Sequence, residues 1–388
     1  MRMRLIPLLL FVMACSTPEA PLEPIRIAAW NVEDLRTSDV GDADHPRINR
    51  AIAEIGALAP DVLLLSELTY DGTAANAERM ADRISQATGV RYVGIGFESN
   101  TGEASGFDLD RSGEVVSDVP PMQVGVDGNP PRQTPDERAY GGDAWGFGVY
   151  PGQYAFALFV REGLTVDTDA IRTFRTFRWA DMPGALLPTD PESGEPWYDP
   201  AVPFRLSSKT HADVPLTLPT GEVVHLLLSH PTPPAFDGAE ARNKKRNHDE
   251  IRFWREYVDG ADWIYDDSGT RGGLAPDARF GIMGDLNADP DEGSAWENPI
   301  GDLLFASPRI QSGVRPVADE VGQSRFPDLD PDDTAGWGLG VDYVLPSTGL
   351  RVIDSGQVRP DTAGVQVSDH FMVWIDVVAE AIGDSTAR

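Results

Sequence analysis

A single cysteine, Cys15, occurs in 388 residues, so no intrachain disulfide framework exists and stability must come from packing or a bound ion. Positive charge is scarce too. Lys and Arg number 32 against 62 Asp and Glu, a formal charge of −30 that suits solubility in a salty medium. It also repels polyanions unless offset locally, which argues against strong non-specific nucleic-acid binding. No apolar run is long enough to cross a bilayer, and no internal repeat or clear interdomain linker interrupts the chain. What abounds is loop chemistry: 38 Gly and 32 Pro predict long connections rather than long helices. A hydrophobic content of 41% still supports a real core and excludes global disorder. The length suits one large α/β domain with long insertions.

The first residues read as an export signal. Arg2 and Arg4 give a positive start, Leu5 to Val12 an apolar stretch, and Val12-Met13-Ala14-Cys15 has the form of a bacterial lipobox. Residues 1–14 are therefore expected to be a lipoprotein signal peptide, with Cys15 the lipidated residue. Residues 15–24, rich in Pro and polar groups, make a tether to a domain at 25–380. The expected place is extracytoplasmic, anchored to a bacterial membrane at the periplasm or cell surface. An ordinary signal peptide with secretion is the alternative.

Ile25 to Trp30 reads as a strand. His45-Pro46 opens a helix with Ile48, Ile52, Ile55 and Leu58 at helical spacing, stopped by Ala59-Pro60. Asp61 to Leu65 is a buried-strand run, Ala74 to Thr88 a second helix ended by Gly89, and Arg91 to Ile95 a further strand. This β-α-β-α-β opening favours an α/β class. From about 98 to 145 the pattern dissolves into Gly, Pro, Asp and Ser, a long insertion. Strand signal returns at Tyr154–Val160, Leu216–Leu218, Val223–Leu228, Phe280–Met283, Tyr343–Pro346 and Met372–Val378, with a helix at Asn247–Val258.

Short polar clusters sit at the ends of these apolar runs: Trp30-Asn31-Val32-Glu33, Ser66-Glu67, Ser229-His230-Pro231, Gly284-Asp285-Leu286-Asn287, Val341-Asp342-Tyr343 and Ser368-Asp369-His370. Strands that end in carboxylates, amides and imidazoles deliver rigidly held ligands to one rim of a sheet. That mixture suits an oxygen-ligated divalent cation that activates a phosphate ester. Asp285 and Asn287, two residues apart, would share one side of a strand. An Asx turn is the competing explanation there. Asp342 is placed to hold His370 in one tautomer.

In this order, these motifs resemble the endonuclease/exonuclease/phosphatase superfamily, which includes deoxyribonuclease I, over nearly the whole span from Ile25 to Val378. The resemblance implies a four-layered α/β/β/α sandwich (an α+β arrangement, deoxyribonuclease I-like) with the site at one rim. It implies Mg²⁺, or Mn²⁺, held by Glu67 with Asn31 and Asp369, and Asp285 orienting or deprotonating the attacking water. Asn287 is then a donor to phosphate oxygen, His370 a stabiliser of the growing charge with Asp342 as its partner, and His230 the general acid. The family's glutamate partner for such a histidine has no counterpart in Pro151-Gly152-Gln153-Tyr154; Gln153 is the nearest substitute. Ser207-Ser208-Lys209 and Ser229 to Pro234 are similar to an uncharacterised extracytoplasmic bacterial branch.

Among the few cations, Arg205 and Lys209 are candidates to draw a phosphate group to the rim. Arg242 to Arg246 equally fit a solubilised helix start. Asp108-Leu109-Asp110-Arg111-Ser112-Gly113 has the first half of an EF-hand-like Ca²⁺ loop, but its twelfth position is Val119 rather than Glu. The expected function is an exported, monomeric, metal-dependent hydrolase of a phosphomonoester or phosphodiester. A secreted deoxyribonuclease-type endonuclease and a catalytically silent binding lipoprotein are the alternatives.

Overall fold

The computed structural model describes residues 23–123 and 131–378. The lipobox, the leader, most of the tether and the end of the domain at 380 lie outside the described residues. The strands are β1 (Ile25–Leu35), β2 (Val62–Leu68), β3 (Tyr92–Gly96), β4 (Phe156–Arg161), β5 (Thr165–Val166), β6 (Arg172–Thr173), β7 (His211–Thr217), β8 (Val223–Ser229), β9 (Arg279–Asp285), β10 (Asp342–Pro346), β11 (Arg351–Val358) and β12 (Met372–Val378). The helices are α1 (Thr37–Gly41), α2 (Pro46–Leu58), α3 (Ala75–Thr88), α4 (Pro135–Gly142), α5 (Arg242–Val258) and α6 (Glu320–Arg325). One sheet runs β11-β12-β1-β2-β4-β3; the other runs β10-β9-β8-β7-β5, with β6 also on β7.

Side-chain alternation builds three apolar seams and hence four layers. Between the sheets lie Ile27, Ala29, Val62, Leu64, Val373 and Ile375 from one, and Val214, Leu226, Leu228, Met283 and Val344 from the other. The opposite parity of the first sheet, Ala28, Trp30, Leu63 and Leu65, packs on Ile48 and Ile55 of α2 and Met80 and Ile84 of α3. On the far side Leu227, Phe280, Ile282 and Leu345 meet Ile251, Trp254 and Val258 of α5, with Ile300 and Leu304 of a π-helical turn at Pro299–Phe305. Each fully buried side chain of this kind contributes roughly 1.5–3 kcal/mol. The expected sandwich is the observed one.

Local signals explain the helix ends. Pro46 opens α2 and the left-handed Ala59 closes it; Gly89, with φ +72°, closes α3 as the sequence predicts. α5 begins at Arg242, five residues before the predicted start. Its first turn has no apolar repeat, and the Asp237 carboxylate stabilises it by accepting from the N–H groups of Asn243 and Lys244. β7 likewise begins at His211 rather than Leu216, because its polar residues are buried in partnerships that periodicity does not reveal. Asp213 accepts from Tyr257 Oη at 2.6 Å and faces His225 Nδ1 at 2.8 Å. β11 is absent from the sequence reading: it is a partly exposed edge strand, irregularly paired between Val352 and Asp354.

Topology decides where function can sit. β1 and β2 run parallel, as do β8 and β9, so each pair ends at a common edge. β12 and β10 run antiparallel to β1 and β9, so they start where those strands end. All six meet at one rim.

Candidate active site

At that rim the apolar layer between the sheets gives way to polar groups of the same parity. Asn31 follows Ile27 and Ala29, His230 follows Leu226 and Leu228, Asp285 follows Met283, and Asp342 precedes Val344. Glu67 breaks the rule. Alternation would send it outward with Leu63 and Leu65, but its φ of +66° turns the backbone. Its Oε1 accepts from Asn31 Nδ2 at 3.1 Å and its Oε2 from the Asp34 N–H at 2.9 Å. Glu33 and Asp34, at φ +52° and +48°, form the matching turn at the end of β1. Gly284, at φ +139°, is required by crowding: a Cβ there would lie 1.9 Å from the Ser229 carbonyl of the neighbouring strand. Asp285 thereby sits hard against the end of β8.

The geometry converges on one oxygen, Asp285 Oδ2. Asn31 Nδ2 donates to it at 3.0 Å, His230 Nε2 lies at 3.4 Å and His370 Nε2 at 3.7 Å. The other oxygen, Oδ1, accepts the N–H of Asn287 at 2.9 Å, the Asx turn that competed with a shared strand face. Asn287 Nδ2 reaches the Pro231 carbonyl at 3.1 Å, as does buried Lys209 Nζ at 3.2 Å. His370 Nδ1 and Asp342 Oδ2 are 2.8 Å apart, and Thr334 Oγ1 donates to the same Asp342 oxygen at 2.9 Å. Trp337 stands edge-on to the His370 ring at 4.9 Å.

Burial and charge set the protonation. Burial pushes the Glu67 carboxyl up to about 7, against the hydrogen bond from Asn31. Asp285 is raised by burial too, with the His370 charge opposing. For His370 burial works against the cation, but the carboxylates of Asp342 and Asp285 outweigh it and hold the imidazole protonated. His230 and Lys209 are both pulled down by burial. Two buried carboxyls whose ionisation desolvation opposes, Glu67 and Asp285, are an arrangement that a divalent cation would relieve. Asp342 Oδ1 is buried without a partner, and 18% of the Glu67 side chain remains open. Asp285, Asp342 and His370 also gather within 4.8 Å of one another, and with the imidazole protonated the ligand atoms left for an ion are carboxylate oxygens, those of Glu67 among them. This donor set fits a metal.

Of the residues read from the sequence, Asn31, Glu67, Lys209, His230, Asp285, Asn287, Asp342 and His370 come together here. Asp369 lies at the margin, 52% exposed, with Oδ1 3.9 Å from His370 Nε2. Arg205 is a correction: its guanidinium is committed to Glu103, at 2.8 and 3.1 Å, and to Asn100, and it lies over the Trp145 ring. It holds the insertion in place. Gln153 does not serve His230. It donates to Asp34 Oδ1 at 3.1 Å and accepts from the Val149 N–H at 2.7 Å, while His230 Nδ1 is buried without a partner. Asp108 and Asp110 gather with Asp143, not with position 119. All three carboxylates accept backbone N–H groups of their own loop: Ser112 and Gly113, Ser112, and Leu109 and Val116 respectively.

Sequence reasoning missed the supports. Arg47 on α2 donates to the carbonyls of Val32 and Val367 at 2.8 Å, tying the turn of β1 to the segment before His370. Arg36 pairs with Asp34 at 2.8 Å and so completes the frame around Glu67. Thr334 sits in an irregular loop with no local signal.

A family model described as Endonuclease/Exonuclease/phosphatase family matches residues 28–370. The chain belongs to this family, whose members hydrolyse phosphate esters and depend on divalent metals. Among solved structures it is similar to an endonuclease/exonuclease/phosphatase from Beutenbergia cavernae DSM 12333, at 15% identity over 92% of this chain and 71% of that one, TM-score 0.49. The human Nocturnin catalytic domain with bound sulfate is similar at 16% identity, covering 92% and 93%, TM-score 0.46. A family protein from Bacteroides vulgatus is similar at 14%, covering 92% and 99%, TM-score 0.43. No curated protein matches the chain.

Proposed function

We propose that this protein is an exported, Mg²⁺-dependent phosphoesterase that hydrolyses its ester by in-line attack of water. The observation that carries the reading is the convergence of Asn31, His230 and His370 on one oxygen of Asp285, from strands of both sheets. Asp285 is placed to orient a water molecule and take its proton as the water oxygen bonds to phosphorus. The P–O ester bond breaks on the opposite side, and the leaving oxygen is protonated by solvent or by a donor at the rim. His370, kept cationic by Asp342, offers Nε2–H to phosphate oxygen as charge grows there. Asn287 has a second amide N–H for the same purpose, and Lys209 supplies fixed positive charge beneath the site. Glu67, with Asn31 beside it and Asp369 from the margin, would hold a divalent cation whose chemistry is Lewis-acid neutralisation of the phosphate.

The test is hydrolysis of bis(p-nitrophenyl) phosphate. EDTA should abolish it, and Mg²⁺ or Mn²⁺ should restore it; turnover that ignores EDTA would contradict the site. The leader and Cys15 support export with lipid anchoring. Cys15 of the lipobox carries the acyl anchor we infer. Among the described residues no helix is long and apolar enough to cross a membrane.

A further inference from the structure

Beside the catalytic rim, the segment after β8 and the segment after β9 flank an open cleft of about 650 Å³. Pro234 to Gly238 and Ser294 to Glu297 line it, together with Lys244 of α5. The two segments are fastened together on the site's own side, by Asn287 Nδ2 to the Pro231 carbonyl and by Ser294 Oγ to the Pro234 carbonyl at 3.0 Å. Only five residues separate His230 from Phe236, a span of at most about 20 Å even if fully extended.

Phe236 is the anomaly. It is 91% exposed and held at φ +60°, a conformation that costs a non-glycine residue about 1 kcal/mol or more. Nothing in the packing rewards that exposure. The same cleft is lined by Trp296, whose indole N–H is buried without an acceptor and whose ring carries the Lys245 ammonium at 5.0 Å. The Asp237 carboxylate accepts the N–H groups of the first turn of α5, and the Lys244 ammonium has no ion pair among the described residues. An open aromatic face, an aromatic wall and two ammonium groups therefore adjoin a phosphate-hydrolysing site.

We infer that this cleft binds the planar ring of a nucleotide-type phosphate ester, with Phe236 as the stacking platform and Lys244 as the contact for a phosphate oxygen. The inference deepens the phosphoesterase reading and rests on it for the orientation of the ester. Charge limits the occupant's size. With Glu297 at the lip and −30 on the whole chain, a compact nucleotide is accommodated where a long polyanion is repelled.

The experiment measures binding without turnover, by calorimetric titration of the mature chain with adenosine 5′-monophosphate and, separately, glycerol 3-phosphate. Phe236→Ala should weaken AMP binding roughly tenfold, in the range of a lost base–aromatic stack, while Phe236→Trp retains it and glycerol phosphate binding barely changes. Lys244→Ala should weaken both ligands. Phe236→Ala with unaltered AMP binding, an equal loss for both ligands, or no AMP binding at all would overturn the inference. Because hydrolysis is not the readout, a chain that binds AMP through Phe236 yet cleaves no ester would support the cleft and refute the phosphoesterase reading.

Discussion

Asp285 and His370 differ from their neighbours in having no structural substitute. Asp285 Oδ2 is the point that Asn31, His230 and His370 share, so an amide in its place removes both the proton acceptor and the charge that holds the imidazoles. Asp285→Asn and His370→Ala should each lower the rate by about two orders of magnitude or more, as expected for loss of a catalytic group. Steady-state rates on bis(p-nitrophenyl) phosphate check this, and wild-type rates would remove those residues from the mechanism. At this scale the sequence was informative wherever a side chain ends an apolar run, because the strand itself advertises the position. It was silent on Thr334, Arg36 and Arg47, which act from loops and a helix by contacts across the fold. It misjudged Arg205, since charge alone does not distinguish a guanidinium facing substrate from one bound to Glu103.

The β7–α5 seam carries a pH dependence of its own. His211 is buried against Phe253 and Trp254, with Nδ1 2.6 Å from Ser207 Oγ and Nε2 2.9 Å from the Glu250 carbonyl. Burial lowers its pKa from 6.5 to about 4. The unfolded chain therefore binds a proton that the folded chain refuses between those values. Stability from this group is fully present above pH 6.5 and is lost as pH falls toward 4, by about 3 kcal/mol in all. Urea denaturation at pH 7.5 and pH 5 should show the loss, and His211→Gln should flatten the slope between them. Such a strand, with His and Asp buried by partners, is why β7 was only half legible in sequence. α2, α3 and β12 were read nearly to the residue, because Pro46, Gly89 and an apolar run broken only by Asp376 leave few alternatives.

Over the whole molecule, strong negative charge and a lone cysteine frame the remaining expectation. If the lipobox is used, labelled palmitate should enter the wild-type chain in a bacterial host and not Cys15→Ser; equal labelling would dismiss the anchor. The class of fold followed from the alternation of strands and helices. The two-sheet layering rested on the family resemblance, since no local pattern says which strands pair across 250 residues. The pairing of β1 with β12 and of β9 with β10 only becomes visible once the chain closes on itself.

One amide spans the gap between the two sheets: Asn31, on the first, grips Glu67 beside it and Asp285 across the way. The catalytic centre is thus also a clasp, and whatever lodges there adds a polar fastening to two sheets already joined by their shared apolar core. Saturation with metal at a hundredfold excess over its dissociation constant should add about 2.7 kcal/mol and lift the melting midpoint by a few degrees. Calorimetry with and without EDTA would register it, so that scarcity of the ion would be felt as fragility as well as idleness.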